Sequence, residues 1–576
     1  MKKQEIGLTA FLRNFRDIRL PWVMLIVSVA LSVGNYFVTL WIAELTSDVV
    51  DKSGNIASAD LFSYIVSAAA MVLCTGGTFL LSGIAAEKIN LSLRKKLWKK
   101  MMHLRRSSYE SDQGESLVSR ITVDCDYAST LFTTVIEMLS GAVGIAIYYY
   151  ELFSQNAKIS ILTLLLLPVS VLIAFLYGRL RYRISERNQQ KLAEASGYLI
   201  ERIYNLKLVR ASNMQERERE AAYAKFGEQY RIELQRGLLD SLDSFINAAF
   251  PVVSMIIVFL LGGRLVNQGL MTAGAVYAFY LVANNASTAF SNLIHDFGSI
   301  KESFGALARV TGTLEEAEEA LDEGIKLQHE LQNLRFSRIS FGYSEKDVFK
   351  GLEMEIPKGR ITALCGGNGA GKSTLFRLLL RLYEPRAGEI RTENACISDL
   401  SLRSLRREIA YIPQDHIVLG GTLRDNLNLG GQGYTDDDFD RVFAKLGLTD
   451  FIDGLPERYD TVLLPDCSNL SGGQKQMVGL ARAVLRGAKL LLLDEATCSL
   501  DEKTENAVSG ALLRGMREHT VVLIAHDLRM IRLADRAVMI QDGKIRYTGK
   551  PEGIENILSV SDNKTGQKLS GEMETV

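Results

Sequence analysis

The sequence predicts a multi-domain membrane protein in two parts. An all-α domain of six spanning helices with long cytoplasmic extensions comes first, and an α/β domain of the phosphate-loop type follows. Three observations predict this. Six long apolar runs all lie before about residue 300. Lys and Arg crowd alternate connections between those runs. After Leu334 the pattern changes to short strand-like runs, one of which leads straight into GGNGAGKST.

A helix needs about 20 apolar residues to cross the hydrocarbon core. The runs are residues 21–43, 61–86, 130–150, 159–177, 245–263 and 273–293. Lys2, Lys3, Arg13, Arg16 and Arg19 precede the first. Lys88, Arg94, Lys95, Lys96, Lys99, Lys100, Arg105, Arg106 and Arg120 separate the second from the third. Arg179, Arg181, Arg183 and Arg187 follow the fourth, whereas the other connections are short and poor in both residues. Basic loops face the cytoplasm, so both chain ends are expected there. The first run is too long for a signal peptide and lacks a convincing cleavage site. The net charge of −1 argues against a nucleic-acid partner, which calls for a basic surplus.

Two cytoplasmic connections, about 86–127 and 178–240, are charged and free of Pro. Helical spacing persists through them, as in Leu91, Leu97, Met101 and Leu104. They read as spans that continue about 30 Å into the cytoplasm, at ~1.5 Å per residue, turn and return. The turns are expected near Tyr109–Gly114 and Tyr204–Ala211. Residues 1–20 suit a helix lying in the inner interface, with Leu8, Phe11, Leu12 and Phe15 on one face. Membrane lipids are therefore expected contacts. The spans and their extensions occupy 21–310. The acidic stretch 311–330 reads as a helical or flexible linker, 331–556 as the second domain and 557–576 as a tail. The six cysteines show neither CxxC nor zinc spacing.

In the second domain, RITALC (360–365) is a strand and LFRLLLRLY a helix. Between them Gly366, Gly367, Asn368, Gly369, Ala370, Gly371, Lys372, Ser373 and Thr374 fit the phosphate-loop pattern. The glycines let backbone N–H groups curl round phosphate, and the helix offers its positive end to the same anion. Lys372 should reach the β- and γ-phosphates of ATP, and Ser373 should hold Mg²⁺. KLLLLDEAT (489–497) is a buried strand ending in two carboxylates. Asp494 is placed for the metal shell, and Glu495 for the attacking water. TVVLIAHD (520–527) is another apolar strand, and a parallel placement brings His526 beside the γ-phosphate.

These motifs resemble the ATP-binding cassette exporters, in which a membrane domain precedes one nucleotide-binding domain, and the resemblance covers essentially the whole chain. It implies an antiparallel β subdomain and a helical subdomain beside the nucleotide core. LSGGQ at 470–474 stands unaltered as the family's signature loop. YIPQD resembles the Q-loop and gives Gln414, a further metal-shell residue. SLD resembles the D-loop and gives Asp501, and FGYS the A-loop, whose Tyr343 stacks on adenine. In the family, one subunit's signature loop covers the ATP held by the other. Ser471, Gly472, Gly473 and Gln474 would thus serve a neighbouring molecule's γ-phosphate. With six spans and one cassette, this chain resembles a half-transporter, an ATPase working as a dimer. The intact Lys372, Glu495 and His526 suit a homodimer; they also suit the complete half of a heterodimer. The resemblance places the chain in a membrane of the bacterial plasma (inner) type.

Two departures stand out. Pro465 occupies the place of the glutamate that usually precedes the signature, with Asp466 beside it, and Cys498 precedes the D-loop. For the cargo the sequence offers Glu137, Asn247, Asn284 and Asn285 within or near the spans. Such groups either line a polar cavity favouring a cationic or amphipathic substrate or hydrogen-bond helix to helix. Small-molecule, lipid and peptide cargoes stay open. An ATP-gated channel or signalling protein on the same scaffold is the alternative to a pump.

Overall fold

The computed structural model describes residues 20–52, 58–105, 114–327, 331, 333–343, 345–414, 418–429, 433–464, 469–494, 510, 519–525 and 528–554. The expected interfacial helix, the turn near Tyr109, the tail, and Pro465, Asp466, Glu495, Cys498, Asp501 and His526 lie outside them. The chain divides into two compact units, Met1–His103 with Asp112–Glu316, and Leu104–Ser111 with Ala317–Val576.

Among the described residues the first unit is helical. Its long elements are α1 (Trp22–Asp51), α2 (Ser58–Met101), α3 (Gly114–Ser119), α4 (Cys125–Gln155), α5 (Ala157–Leu164), α6 (Leu166–Tyr204), α7 (Leu206–Ala211), α8 (Gln215–Asn267) and α9 (Ala273–Glu315). Among the described residues, four stretches, 22–51, 58–101, 116–155 and 248–267, are long and apolar enough to cross a membrane. The remaining two expected spans are also helical. The fourth breaks at Leu165, between α5 and α6. Pro168 has no N–H to give Leu164, so the hydrogen-bond ladder is interrupted there. The sixth lies in α9, where Asn284, Asn285, Ser287 and Thr288 dilute the apolar run. Asn156 caps α5, accepting from the N–H groups of Lys158 and Ile159 at 3.1 and 3.2 Å, which fixes the tight turn from α4. Tyr148, Leu152, Ile159, Val258, Phe279 and Val282 form a buried cluster that joins α4, α5, α8 and α9.

The extensions are helical as expected. The second turn is α7, whose Leu206 and Leu208 are exposed. Near it Arg202 donates to Glu218 at 2.8 Å, which also accepts from Tyr198, stapling α6 to α8. The path from α3 to α4 contains a π-helical stretch, Arg120–Asp124. Its Asp124 is 4% exposed and accepts two hydrogen bonds from Arg309 of α9, at 2.9 and 2.6 Å.

The second unit is α/β. Its strands are β1 (Leu334–Phe341), β2 (Phe349–Ile356), β3 (Ile361–Cys365), β4 (Ala387–Arg391), β5 (Ile409–Ile412), β6 (Gly421–Thr422), β7 (Val462–Leu463), β8 (Leu490–Asp494), β9 (Thr520–Ile524), β10 (Arg536–Gln541) and β11 (Lys544–Gly549). A six-stranded sheet runs β11-β10-β3-β9-β8-β5, and a three-stranded antiparallel sheet runs β2-β1-β4. The large sheet is parallel from β10 to β5, so both faces are covered and its strands are continuously apolar. Leu491 and Leu493 enter one core while Leu490 and Leu492 enter the other, the period-two alternation of a pleated strand. The helices here are α10 (Lys372–Leu379), α11 (Leu402–Arg407), α12 (Leu423–Leu427), α13 (Asp436–Leu446), α14 (Thr449–Asp453), α15 (Gly472–Leu485) and α16 (Leu528–Arg532). Phe439, Phe443, Tyr459 and Val478 lie in the core shared by α13 and α15, and these elements make up the expected helical subdomain.

The stretch expected as a linker is not one element. Residues 311–315 complete α9, whereas Ala317 to Leu327 are extended and hydrogen-bonded to the second unit.

Candidate nucleotide site

Strand register builds the site. β9 lies between β3 and β8, with Leu364 level with Ile524 and Ile524 level with Asp494. The chain therefore leaves β3, β8 and β9 at one edge of the sheet. Ligands of parallel α/β sheets sit at this carboxyl edge. Glu495 and His526 follow directly in sequence, although both lie outside the described residues.

The loop from β3 to α10 turns on backbone angles that only glycine takes readily. Gly366, Gly369 and Gly371 have φ of 148°, 79° and 99°. Space is also short at Gly366, where a Cβ would stand 2.3 Å from the carbonyl oxygen of Ile540. Lys372 is 6% exposed, and its Nζ donates to the carbonyls of Gly366 and Gly367 at 2.8 and 3.1 Å. The ammonium is thus held inside the loop, at the start of α10, where backbone N–H groups lack intrahelical partners.

Asp494 is 5% exposed. The hydroxyl of Ser373 donates to its Oδ1 at 3.2 Å, and that of Tyr411 to its Oδ2 at 3.3 Å. A buried carboxylate facing a hydroxyl is a hard oxygen-donor pair of the kind Mg²⁺ takes. Gln414 is exposed two residues past β5, which pairs with β8. Behind the loop, burial pushes the Cys365 thiol up to about 11 although Lys372 pulls it down, so this cysteine is an inert packing group.

Tyr343 follows β1 and is 45% exposed. Its ring meets Phe341 and Tyr383 edge-on at 5.1 and 5.2 Å, with the Arg377 guanidinium 5.6 Å from its centre. The Tyr343 hydroxyl lies 3.0 Å from Thr374 Oγ1 and accepts from Arg377 at 2.7 Å. The ring is thereby tied to the phosphate-loop helix.

The signature turn is a helix start. Ser471 caps α15, its hydroxyl accepting from the Gln474 N–H at 3.3 Å. The Gln474 side chain accepts from the Ser471 N–H at 2.9 Å, completing a capping box. The Gln474 amide oxygen is therefore engaged in its own helix, whereas the Ser471 hydroxyl retains its proton for a further acceptor. A Cβ on Gly472 would meet nothing within 4 Å, and its φ is not positive. Ser471 and Gly472 are both exposed at the start of α15.

The structure brings the phosphate loop, Asp494 and Tyr343 together. Two participants were not singled out from the sequence: Tyr411, the first residue of YIPQD, and Arg377, and the fold places them against Asp494 and Tyr343. In the membrane unit, Glu137 accepts from Ser82 at 2.7 Å, bridging α4 to α2, and Asn285 donates to the Leu281 carbonyl of its own helix at 2.8 Å. A groove of about 600 Å³ there is lined by Phe37, Leu40, Val143, Ala146, Ile147, Tyr150 and Glu151. Glu137, Asn284 and Asn285 are not among its lining residues, and the Asn247 side chain lies outside the described residues.

Residues 22–289 match the family described as ABC transporter transmembrane region, and residues 349–498 the one described as ABC transporter. A multidrug resistance ABC transporter ATP-binding and permease protein of Lactococcus lactis is 27% identical, over 94% of this chain and 92% of the relative. An ATP-dependent lipid A-core flippase of Syntrophus aciditrophicus is 28% identical, over 84% and 80%. A mitochondrial potassium channel ATP-binding subunit of Xenopus tropicalis is 29% identical, over 92% and 80%. Both halves of the chain thus match in the expected order, and the phosphate loop stands where the matching cassette needs it. The chain belongs to the ABC transporters: it is an integral membrane ATPase of the exporter type, with membrane region and ATP-binding cassette fused in one polypeptide.

Proposed function

We propose that this half-transporter works as a homodimer whose two ATP sites are each completed by the partner's signature turn. The exposed signature turn supports this reading: Ser471 caps α15 with its hydroxyl proton free to be donated, and a Cβ on Gly472 would meet nothing within 4 Å. The phosphate loop of one protomer would hold ATP through Lys372 and the loop amides. The Ser471 hydroxyl and the first N–H groups of α15 would come from the other protomer. Bound Mg²⁺, held by Ser373 and Asp494 with Gln414 nearby, would neutralise charge on the phosphates. Glu495 would take the proton of the attacking water, and His526 would steady the γ-phosphate. ATP favours the closed dimer by its better binding to that state. The extended helices would carry the movement to the spans, moving a substrate out of the cytoplasm. Both chain ends would face the cytoplasm of a bacterial plasma membrane.

The cargo class we favour is amphipathic, whether a cationic small molecule, a lipid or a peptide. The apolar groove with Glu151 among its lining residues supports it. Purified protein in vesicles should accumulate such a solute against its gradient only with ATP. Simple equilibration would instead favour an ATP-gated channel, the reading suggested by the relative named as a potassium channel subunit. At the nucleotide site, Tyr343→Ala should weaken ATP binding by about 1–3 kcal/mol, the scale of one base stacked on an aromatic ring. Tyr343→Phe should keep most of it. Equal loss in both variants would make the hydroxyl, and not the ring, the contact.

A further inference from the structure

The extended stretch after α9 ties the phosphate-loop helix to the ends of two membrane helices. Covalently, α9 leads into Ala317 and α2 leads into Leu104. These two exits pair with each other: Leu104 and Glu318 form an antiparallel bridge, and the Arg105 N–H donates to the Ala317 carbonyl at 3.2 Å. The stretch is then sewn to the cassette. Ile325 and Leu400 form a parallel bridge, with Ile325 N–H to Asp399 O at 2.7 Å and Ser401 N–H to Ile325 O at 2.9 Å. Gly324, at φ 103°, lies so close that a Cβ would be 2.6 Å from the Asp399 carbonyl oxygen. Asp322 accepts two hydrogen bonds from Arg403, at 2.6 and 3.1 Å. This stretch is a strap with a fixed seat.

The strap also reaches the far end of the phosphate-loop helix. Glu319 is 16% exposed in its side chain and accepts from both terminal nitrogens of Arg406, at 2.6 and 2.9 Å. The same guanidinium donates to the carbonyls of Leu380 and Arg381, at 3.0 and 3.3 Å. Those carbonyls directly follow α10, the helix that begins at Lys372 and is capped by Leu380. A helix end leaves carbonyls without intrahelical partners, and a cation there is favoured by the helix dipole. Any movement of α10 on nucleotide binding therefore shifts the atoms that hold Arg406.

We propose that Arg406 and Glu319 couple nucleotide binding to the membrane helices along one route: phosphate loop, α10, Arg406, Glu319, then the paired exits of α2 and α9. This rests on ATP-driven closure of the dimer. Both are positioning residues, since neither touches the nucleotide loop itself. Coupling requires evidence that the two sites bias one element, and a double-mutant cycle supplies it.

A spin label at Leu91, exposed on the cytoplasmic part of α2, reports the distance between protomers of the full-length protein in nanodiscs, with and without ATP. Glu319→Gln, Arg406→Gln and the double variant should each lower the ATP-shifted population by the same factor, about threefold or more. Affinity for a fluorescent ATP analogue and basal ATPase should change by less than about twofold. An unchanged ATP shift in either single variant would overturn the proposal. So would a parallel loss of ATP affinity, or a double variant whose loss is the product of the two singles. Absence of any ATP shift in the unsubstituted protein would instead sink the closure reading itself.

Discussion

Glu495→Gln is expected to stop ATP turnover while leaving ATP binding intact. The residue follows Asp494, whose carboxylate is already engaged by Ser373 and Tyr411 at 3.2 and 3.3 Å. A carboxylate facing a metal has its charge committed, so a second group must accept the proton of the attacking water. A positioned general base contributes typically 10²–10⁴-fold to rate. Glutamine keeps the size and loses the basicity, so the rate should fall within about that range while nucleotide is retained. With hydrolysis blocked, the closed dimer should accumulate in ATP. Steady-state hydrolysis and filter-binding of labelled ATP separate the two effects. Hydrolysis within about twofold of the parent would remove Glu495 from the role of base.

Lys372→Ala should have the other large effect, and of a different kind. Its Nζ is buried and donates to two loop carbonyls, Gly366 and Gly367. The ammonium therefore both shapes the loop and supplies the positive charge that meets the phosphates. Alanine removes both, leaving the polyphosphate without its cation and the two carbonyls without this donor. A charge-assisted hydrogen bond contributes roughly 1.5–3 kcal/mol, so ATP affinity should fall on the order of tenfold to a hundredfold. Hydrolysis should fall further, since charge shifts on the phosphates during the reaction. Lys372→Arg should not rescue it: the guanidinium is larger and forked, whereas the seat fits a compact ammonium. Calorimetric titration with ATP checks the order of the three proteins.

The motifs were legible because their chemistry is local. A glycine-rich turn between a strand and a helix states its own geometry, and the angles at Gly366, Gly369 and Gly371 follow from it. The parallel register that gathers the ends of β3, β8 and β9 was legible from the apolar strands. What the sequence concealed depends on partners distant in the chain. The acidic run at 315–319 reads as a charged helix or linker because Glu is a good helix former. Glu319 in it is held by Arg406, and Asp322 just beyond it by Arg403, each more than eighty residues on. Likewise Gln474 belongs to a named motif, yet its side chain closes a capping box within α15. In the spans, Asn285 read either as cavity lining or as a bond from helix to helix, and its amide donates to the Leu281 carbonyl of its own helix. The sixth run showed the same limit, since hydropathy registers composition and not which face meets lipid.

The claim on which most depends is that each ATP site is shared between protomers. Mixed dimers of Lys372→Ala and Ser471→Arg, purified through two different tags, test it most directly. Each substitution alone should silence both sites of a symmetric dimer. In a mixed dimer with shared sites, one site carries both lesions and the other carries neither. ATP hydrolysis should therefore return, with one intact site per dimer. Mixed dimers as inactive as either parent would contradict the account.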